Sequence, residues 1–511
     1  MTSKTRVLLA VIPLLFIGYL FVYPVARIIL LGLGDAEPGQ LFQGGRIGSV
    51  VWFTFWQALV STALTVIVAA PLTWVISRFE FPGRRLAQAA VVVPFVLPTV
   101  VVGAAFAALG VRGSVWAILV AHTFYNIAVV VRTVGGMWAS VDTRIEDAAR
   151  TLGAGRWQTF WYVILPTLRP AIMASAAIVF LFCFTSFGVV LILGGRGNAT
   201  LEVEIYQQAV TFFNLPLAAL LAVLQLVGVS AALAWYSRSQ ERASRGLDLA
   251  GEQSIRRRPT GRFRWIVGFI VVGTLGLQFV PLATLVVRGL GWFGDLAIED
   301  PVVGVPLESI PRSLGFAGIA TVVAVLVGML AASVVSGRRS AFSRWFDTAL
   351  MLPLGTSAVT VGFGFLVALN WPVDLRGTVW LVPLAHALVA VPFVVRSAVP
   401  LLRSIRPQLL ESAAMLGAPP GRAWRSVALP IASRAAALGA GFAFVVSLGE
   451  FGATSFIARP SSVTVPVTIF RLLGRPGDAN FGRAMALAVV LAVLTAAVVT
   501  IIDRLGEVGR F

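Results

Sequence analysis

Apolar runs of twenty or more residues, separated by short charged segments, fill almost the whole chain. A helix needs roughly 20 apolar residues, at 1.5 Å rise each, to cross the hydrocarbon layer of a bilayer. By that measure the first half holds six spans, at about 8–33, 50–76, 88–110, 114–137, 171–194 and 208–235. Six more lie at about 265–288, 313–335, 346–370, 378–400, 435–457 and 484–503. Residues 236–264 between the sets carry too much charge to enter hydrocarbon, where an Arg at a helix centre costs about 2.5–3.5 kcal/mol on insertion scales. The pattern predicts an all-α, polytopic membrane protein of about twelve transmembrane helices. Its first transmembrane half is 1–235, with a repeat unit over about 50–235; a basic linker follows at 236–264; the second half is 265–511, with a repeat unit over about 312–503.

The halves are copies. GSVWAILVAH (113–122) aligns with GTVWLVPLAH (377–386), Arg132 with Arg396, Gly188 with Gly452, and Ile205-Tyr206 with Ile469-Phe470, all at an offset of 264. Upstream the offset is 259, pairing Thr62 with Thr321, Ser77 with Ser336, Pro94 with Pro353 and Gly103 with Gly362. About five residues are therefore inserted in the second copy between its third and fourth spans. An even number of spans per copy makes the two copies parallel, related by an axis along the membrane normal. This predicts two pseudo-symmetric six-helix halves with a pathway at their interface.

Composition supports the same class: 58% of the 511 residues are hydrophobic and 12% charged, with mean hydropathy +0.90, against about 25% charged in soluble domains. The net charge of +18 does not indicate a nucleic-acid partner, because the basic residues are scattered between apolar spans and not gathered on one solvated face. Their placement sets orientation instead. Lys4, Arg6, Arg78, Arg84, Arg85, Arg144, Arg150, Arg156, Arg169 and the linker fall on one side, with Arg338, Arg339, Arg344, Arg403, Arg406, Arg422 and Arg425 of the second half. That side is expected to be the cytoplasm, with both termini in it. The opposite side holds GDAEPGQ (34–40), GGRGNATLEVE (194–204) and the acidic stretch 291–309. The basic start resembles a signal peptide, but the apolar run after it is long and lacks an evident cleavage site, so it is expected to stay as the first span. One cysteine, Cys183, excludes an intrachain disulfide.

Two amphipathic segments interrupt the hydrocarbon. TRIEDAARTLGAGRWQTFWYVILPTLRP (143–170) and LLESAAMLGAPPGRAWRSVALP (409–430) share a Gly to Leu-Pro spacing, with Gly153 and Pro166 matched by Gly417 and Pro430. Thr143 and Glu146 have capping-box spacing. Ile145, Ala148, Ala149 and Leu152 then form one narrow apolar face, and Gly153 stops the helix by supplying the left-handed conformation. A second short helix with Trp157, Phe160 and Val163 runs to Leu165-Pro166, with Pro166 in the first turn of the next helix. The second copy puts Leu409, Ala413 and Leu416 on the matching face and breaks at Gly417 to Pro420. A contact face built of alanine allows close approach, so each loop has the shape of a knob for a groove on a soluble partner.

This pattern resembles the EAA loop of ABC-importer permeases, and the resemblance covers nearly the whole chain in two copies. It implies that Glu146, Asp147, Ala148, Ala149, Gly153, Leu165 and Pro166, and Glu411, Ser412, Ala413, Gly417, Leu429 and Pro430, couple the chain to two nucleotide-binding ATPase subunits. It also implies an extracytoplasmic solute-binding protein as a partner, and ATP-driven switching between inward-open and outward-open states. Two departures stand out: the motif's Glu is Asp147 in the first copy, and its first Ala is Ser412 in the second. The chain is not expected to be the ATPase, since a Walker A loop needs a lysine and the only one is Lys4, nor another membrane enzyme, since the sequence shows no clustered His, Asp, Glu or Cys near one membrane face. No cofactor is expected on this chain; ATP is used by the partner. The fused two-copy design is similar to the permeases of thiamine and ferric-iron importers. FTFWQALVSTAL (53–64), LVAHTFYN (119–126) and the stretch 180–207 look most like the thiamine permease, so thiamine or its phosphate esters lead, with ferric iron the alternative.

Glu450, in the eleventh span, and Ser186, its repeat equivalent, are the pathway candidates, because an ionisable group in the membrane is a functional candidate by default. Two roles stay open for Glu450: easing a thiazolium cation along the pathway, or bonding a neighbouring helix. His122 and His386 are repeat equivalents without the three or four ligands of a zinc site, and are expected to pack helices. Arg132 and Arg396 are expected to snorkel to the interface, and GGRGNA (194–199) to be an external turn facing the binding protein. A twelve-span secondary transporter would carry coupling-ion carboxylates and no paired docking loops.

Overall fold

The computed structural model describes residues 3–34, 39, 45–195, 197–244, 258–337, 340–405 and 407–507. Among the described residues there is no β-strand, and one isolated bridge joins Asp300 to Gly304. The first half forms α1 (Leu8–Gly34), α2 (Arg46–Arg78), α3 (Arg84–Val96), α4 (Thr99–Ala108), α5 (Val115–Ser140), α6 (Thr143–Thr151), α7 (Arg156–Phe184), α8 (Gly188–Leu193), α9 (Leu201–Tyr206) and α10 (Leu215–Ser244). The second forms α11 (Arg262–Trp292), α12 (Pro306–Ser336), α13 (Ala341–Gly355), α14 (Ala358–Ala368), α15 (Leu381–Arg403), α16 (Pro407–Met415), α17 (Gly421–Leu448), α18 (Thr454–Ile457), α19 (Val465–Leu473) and α20 (Asp478–Glu507). Each helix of the first half has its repeat equivalent ten numbers later.

Ten of these helices are long and apolar enough to cross a membrane: α1, α2, α5, α7 and α10, and their equivalents. The third span of each half differs from the straight helix expected. Residues 88–110 and 346–370 fall in the bent pairs α3–α4 and α13–α14, which turn through 97° and 95°. In the first, Leu97 leaves the helix into extended backbone and Pro98, which has no N–H to give a helix, caps α4. In the second, Pro353 opens a 3-10 turn, and the Ser357 hydroxyl accepts the Val359 N–H at 3.0 Å.

Helix direction shows what the bent pairs do. Ser61 bonds His122 at 3.2 Å and Ser77 donates to the Gly135 carbonyl at 3.2 Å, so α2 and α5 run parallel. Arg403 donates to the Val335 carbonyl at 3.2 Å, placing the C-terminal ends of α12 and α15 together in the same way. Between two parallel crossings the chain must return, so each bent pair supplies a crossing and each half makes six. The extra residues of the second copy lie in the turn from Leu369 to Trp380, between α14 and α15.

Two further boundaries differ. Spans expected at 171–194 and 435–457 begin earlier, at Arg156 and Gly421, and stop at Phe184 and Leu448. The twin amphipathic loops therefore do not hold a separate second helix before Leu165-Pro166; the helix passes straight through. A π-turn at Phe160–Ile164, repeated at Trp424–Ala428, makes this workable, since Pro166 and Pro430 cannot donate to the preceding turn and the wider π-turn relieves the mismatch. The linker is also shorter than 236–264, because α10 continues to Ser244 and α11 starts at Arg262; residues 245–257 lie outside the described residues, as do Arg338, Arg339, Arg406 and most of 34–40.

The first helix of each half reaches across: α1 packs on α12, and α11 packs on α3 and α4. Without a strong hydrophobic force between membrane helices, association depends on close packing of small residues. Gly32 on α1 shows this, for a Cβ there would sit 2.8 Å from the Ala219 carbonyl carbon of α10. Its counterpart Gly289 on α11 would place one 3.0 Å from the Ala486 nitrogen of α20.

Outside the membrane, the turn after α11 is held by Asp300, whose carboxylate accepts the N–H groups of Val302 and Val303 at 2.9 and 3.1 Å and the Arg475 guanidinium at 2.6 Å. Burial works against this carboxylate, but the two amides and Arg475 outweigh it and hold its pKa below the ordinary carboxylate value. A depressed folded pKa gives stability that is present above the unfolded value, about 3.9 for Asp, and lost as pH falls through the folded one. Asp300→Asn is expected to speed amide exchange across residues 298–305 at pH 7 by about ten-fold, whereas the parent turn loosens only below about pH 4. Equal exchange in the two proteins at pH 7 would remove Asp300 as the anchor.

Candidate functional site

The two amphipathic loops fold into matching knobs. In the first, the helix is capped by Asp142, whose carboxylate accepts the Arg144 N–H at 2.8 Å. This replaces the Thr143–Glu146 capping box, because Glu146 turns inward and forms an ion pair with Arg78 at the end of α2, both side chains about 10% exposed. Arg78 also donates to the Val141 carbonyl at 3.4 Å. The helix closes with Gly153 N–H on the Arg150 carbonyl and Ala154 N–H on the Ala149 carbonyl, both 3.0 Å. The second knob repeats this closure, with Gly417 N–H on Ala414 at 2.9 Å and Ala418 N–H on Ala413 at 3.0 Å. This double bond pattern requires a left-handed residue, and Gly153 and Gly417 have φ of +87° and +82°.

What the knobs present is apolar. Leu152, Met415 and Leu416 are 89%, 89% and 88% exposed, and Ile145 and Leu409 about half exposed. Ala149 and Ala413 are half-buried, Ala148 and Glu411 are exposed, and Asp147 points outward with Arg150 3.7 Å away. The exposed Ser412 donates to the Gln408 carbonyl at 2.8 Å. Leu165-Pro166 and Leu429-Pro430 follow the π-turns within the long helices α7 and α17. Contiguous exposed apolar side chains on a polar rim mark an interaction surface. The knobs differ in anchorage: the repeat equivalents of Arg78 and Glu146 are Gly337 and Leu410, so the ion pair exists in the first half alone.

At the interface of the halves, α7 and α17 both break, at Thr185–Phe187 and Gly449–Ala453. Phe187 and Phe451, repeat equivalents next to the breaks, stack on each other with ring centres 5.3 Å apart. Tyr206 and Phe470, also equivalents, flank them at 5.5 Å each. This aromatic quartet straddles the pseudo-twofold axis and closes the interface. Ser186 and Glu450 stand just before these rings. Ser186 bonds the Nε2 of His122 at 2.8 Å, and the Ser186 carbonyl accepts the Thr200 hydroxyl at 3.0 Å. Glu450 lies in the break after α17 and is 6% exposed; its oxygens accept the N–H groups of Ala453 and Thr454 at 2.7 and 3.0 Å and the Thr454 hydroxyl, with His386 Nε2 at 3.3 Å. The His386 Nδ1 meets Ser447 at 2.7 Å. Both histidines thus bridge helices through hydroxyl groups, and among the described residues no group of three His, Cys, Asp or Glu gathers around either. Arg132 and Arg396 are exposed near the ends of α5 and α15.

Two residues escape the sequence pattern. The sequence puts Glu202 and Glu204 in an external stretch, but α9 is buried and both are fully covered. Glu202 accepts from Gln225 at 3.0 Å and, across the interface, from the Ser357 hydroxyl at 2.6 Å. Glu204 meets Arg46 at 3.2 Å. The signal is in the repeat, since the aligned segment of the second copy, VPVTIF, has uncharged Pro466 and Thr468 at the matching positions and marks the segment as interior.

Two parallel six-crossing halves, an interface closed on their axis and a knob on each half define a transport permease. The family of binding-protein-dependent transport system inner membrane components is matched over residues 67–245 and 324–508, once in each half, and the chain belongs to it. It is 27% identical over 491 residues to the thiamine transport system permease protein ThiP of Salmonella typhimurium, covering 91% of this chain and 90% of that one. Against ThiP of Brucella suis it is 28% identical over 528 residues, 95% of this chain and 93% of the other. The sulfate transport system permease protein CysT of Escherichia coli is 31% identical over 201 residues, 36% of this chain and 73% of its own. The chain is a multi-pass permease of an inner-membrane transport system, and its relatives are transport permeases, not enzymes.

Breaking a buried ion pair by removing one partner leaves a charge without compensation. Glu146→Ala is expected to speed amide exchange in residues 143–152 several-fold, while Glu411→Ala, exposed on the other knob, leaves 407–415 unchanged; equal effects would show that Arg78 does not anchor the first knob.

Proposed function

We propose that this chain is the permease of an ATP-driven importer of thiamine or its phosphate esters, moved by two separate ATPase subunits seated on α6 and α16. The observation that carries the ATPase coupling is the pair of knobs with the same glycine closure and the same exposed apolar tip. Kinship over nine-tenths of the chain with permeases named for thiamine supports the solute. In this reading the basic face with both termini is cytoplasmic, ATP is hydrolysed on the partners, and an extracytoplasmic solute-binding protein delivers the solute to the opposite face.

The geometry suggests how the push travels. Each knob is joined through a short turn, residues 152–155 in the first half and 416–420 in the second, to a helix that does not stop at the membrane boundary. The 29-residue helix α7 spans about 44 Å at 1.5 Å per residue, from the knob to the break beside Phe187. A partner that closes and draws the knobs together would tilt α7 and α17 and part the aromatic quartet at their far ends. Ser186 and Glu450 act here as positioning residues: they bond the backbone and the histidines of their own halves, and so fix the breaks that hold Phe187 and Phe451 face to face. Once parted, the four rings offer π faces to a cation, which a thiazolium ring would meet favourably.

In vesicles holding the chain, its ATPase partner and the binding protein, thiamine is expected to stimulate ATP hydrolysis several-fold and ferric iron not at all. Gly153→Val with Gly417→Val should abolish that stimulation and release the ATPase, because a β-branched residue at positive φ distorts the knob; stimulation by iron alone, or a retained ATPase, would overturn the reading. Glu450→Gln should cut uptake by about ten-fold with the complex still assembled, since an amide cannot accept at both of the N–H groups now met by the carboxylate. Unchanged uptake would take Glu450 out of the mechanism.

A further inference from the structure

A cavity of about 1040 Å³ lies beside the first knob, away from the aromatic quartet, between α2, α5, α7 and the residues leading into α11. That volume is at the upper end for a small-molecule pocket. Its walls are aromatic and aliphatic, with Trp74, Phe79, Trp138, Phe160 and Phe263 among them. Arg150, Arg156 and Arg258 also line it, from the knob, the start of α7 and the approach to α11. Ile67 and Trp157, which line it too, are 67% and 75% exposed, so it opens sideways to the surroundings of the bundle. Beyond the first half only the linker residues 258–260 and Phe263 of α11 contribute, so the cavity is not on the pathway between the halves.

We propose that this cavity is a binding site for an anionic phospholipid of the leaflet on the knob side. The aromatic wall takes acyl chain, and the guanidinium groups of Arg150, Arg156 and Arg258 take the phosphate and headgroup charge. Guanidinium groups bond phosphate oxygens in pairs, and basic pockets between membrane helices select anionic headgroups by charge. The site is specific to the first half: the repeat equivalents of Arg150, Arg156 and Trp157 are Ala414, Pro420 and Gly421. Arg78 and Glu146, the pair that anchors α6, are part of the same lining. Lipid in the cavity therefore touches the support of one knob and not of the other, which makes the first knob's anchorage responsive to membrane composition. The site requires only that the chain spans a bilayer, so it stands or falls separately from the solute and the ATPase.

The test is native mass spectrometry of the purified full chain released from mixed phosphatidylglycerol and phosphatidylcholine. The parent chain is expected to retain one phosphatidylglycerol with at least ten-fold preference, undisturbed by added inorganic phosphate. Arg150→Gln with Arg156→Gln and Arg258→Gln should lose the preference, and Ala70→Trp, which fills the apolar wall and keeps every arginine, should lose the lipid itself. Arg422→Gln with Arg425→Gln on the second knob should change nothing. Equal retention of the two lipids, displacement by phosphate alone, or retention by the triple variant or by Ala70→Trp would overturn the site.

Discussion

Inside a bilayer a peptide group that leaves its helix has no water to turn to, so each interruption has to be met by protein. The breaks in α7 and α17 show how this is done. The Cys183 carbonyl takes a bond from Gln57 at 2.9 Å, and the Ser186 carbonyl one from Thr200. In the second half the Glu450 carboxylate collects the amides that open α18. The next elements are tied by a matched pair of hydroxyls: Thr54 accepts the Leu201 N–H at 2.9 Å, and its repeat equivalent Ser313 accepts the Val465 N–H at 2.8 Å. Where these bonds can be made decides where the helices may stop, and they can be made at the interface of the halves. The aromatic closure sits there for the same reason.

The repeat is close in backbone and loose in chemistry. His122 and His386 occupy equivalent places and bridge equivalent helices, yet one leans on Ser186 and the other on Thr454 beside a carboxylate. Glu202 crosses the interface to Ser357 from one side only, its own equivalent being Pro466. The first knob is held by a buried ion pair, and the second has Gly337 and Leu410 in those places. A fused chain can diverge in this way because each half always meets the same partner, whereas a homodimer must satisfy both sides with one sequence.

Much of the fold was legible in the chain because its signals are long. Twenty-residue apolar runs, a repeat at offsets 264 and 259 and paired Gly to Leu-Pro spacings all survive uncertainty at single positions. What was hidden depends on tertiary partners. Hydropathy cannot distinguish a straight span from α3 and α4 bent at Pro98, since both are equally apolar. The capping-box spacing of Thr143 and Glu146 was real, but Arg78, sixty-eight residues away, offered Glu146 a stronger partner. Glu202 and Glu204 read as loop because two carboxylates in six residues look solvated, and only Gln225, Ser357 and Arg46 make them tolerable inside. The knobs were the most legible part of the candidate site, being local in sequence; the aromatic quartet was the least, as its four rings come from both halves.

The exchange of first helices bears on how such a chain is built. With α1 lying on α12 and α11 on α3 and α4, neither half owns a complete outer wall. The peptide segment between α10 and α11 is therefore not what keeps the halves together; that is done by two helices, each completing its neighbour's bundle. Translation makes α1 long before its seat on α12 exists, so the first half must wait, partly uncovered in the bilayer, for the second to emerge. Severed between α10 and α11, the two pieces would still be obliged to find each other, and neither would be a smaller working permease.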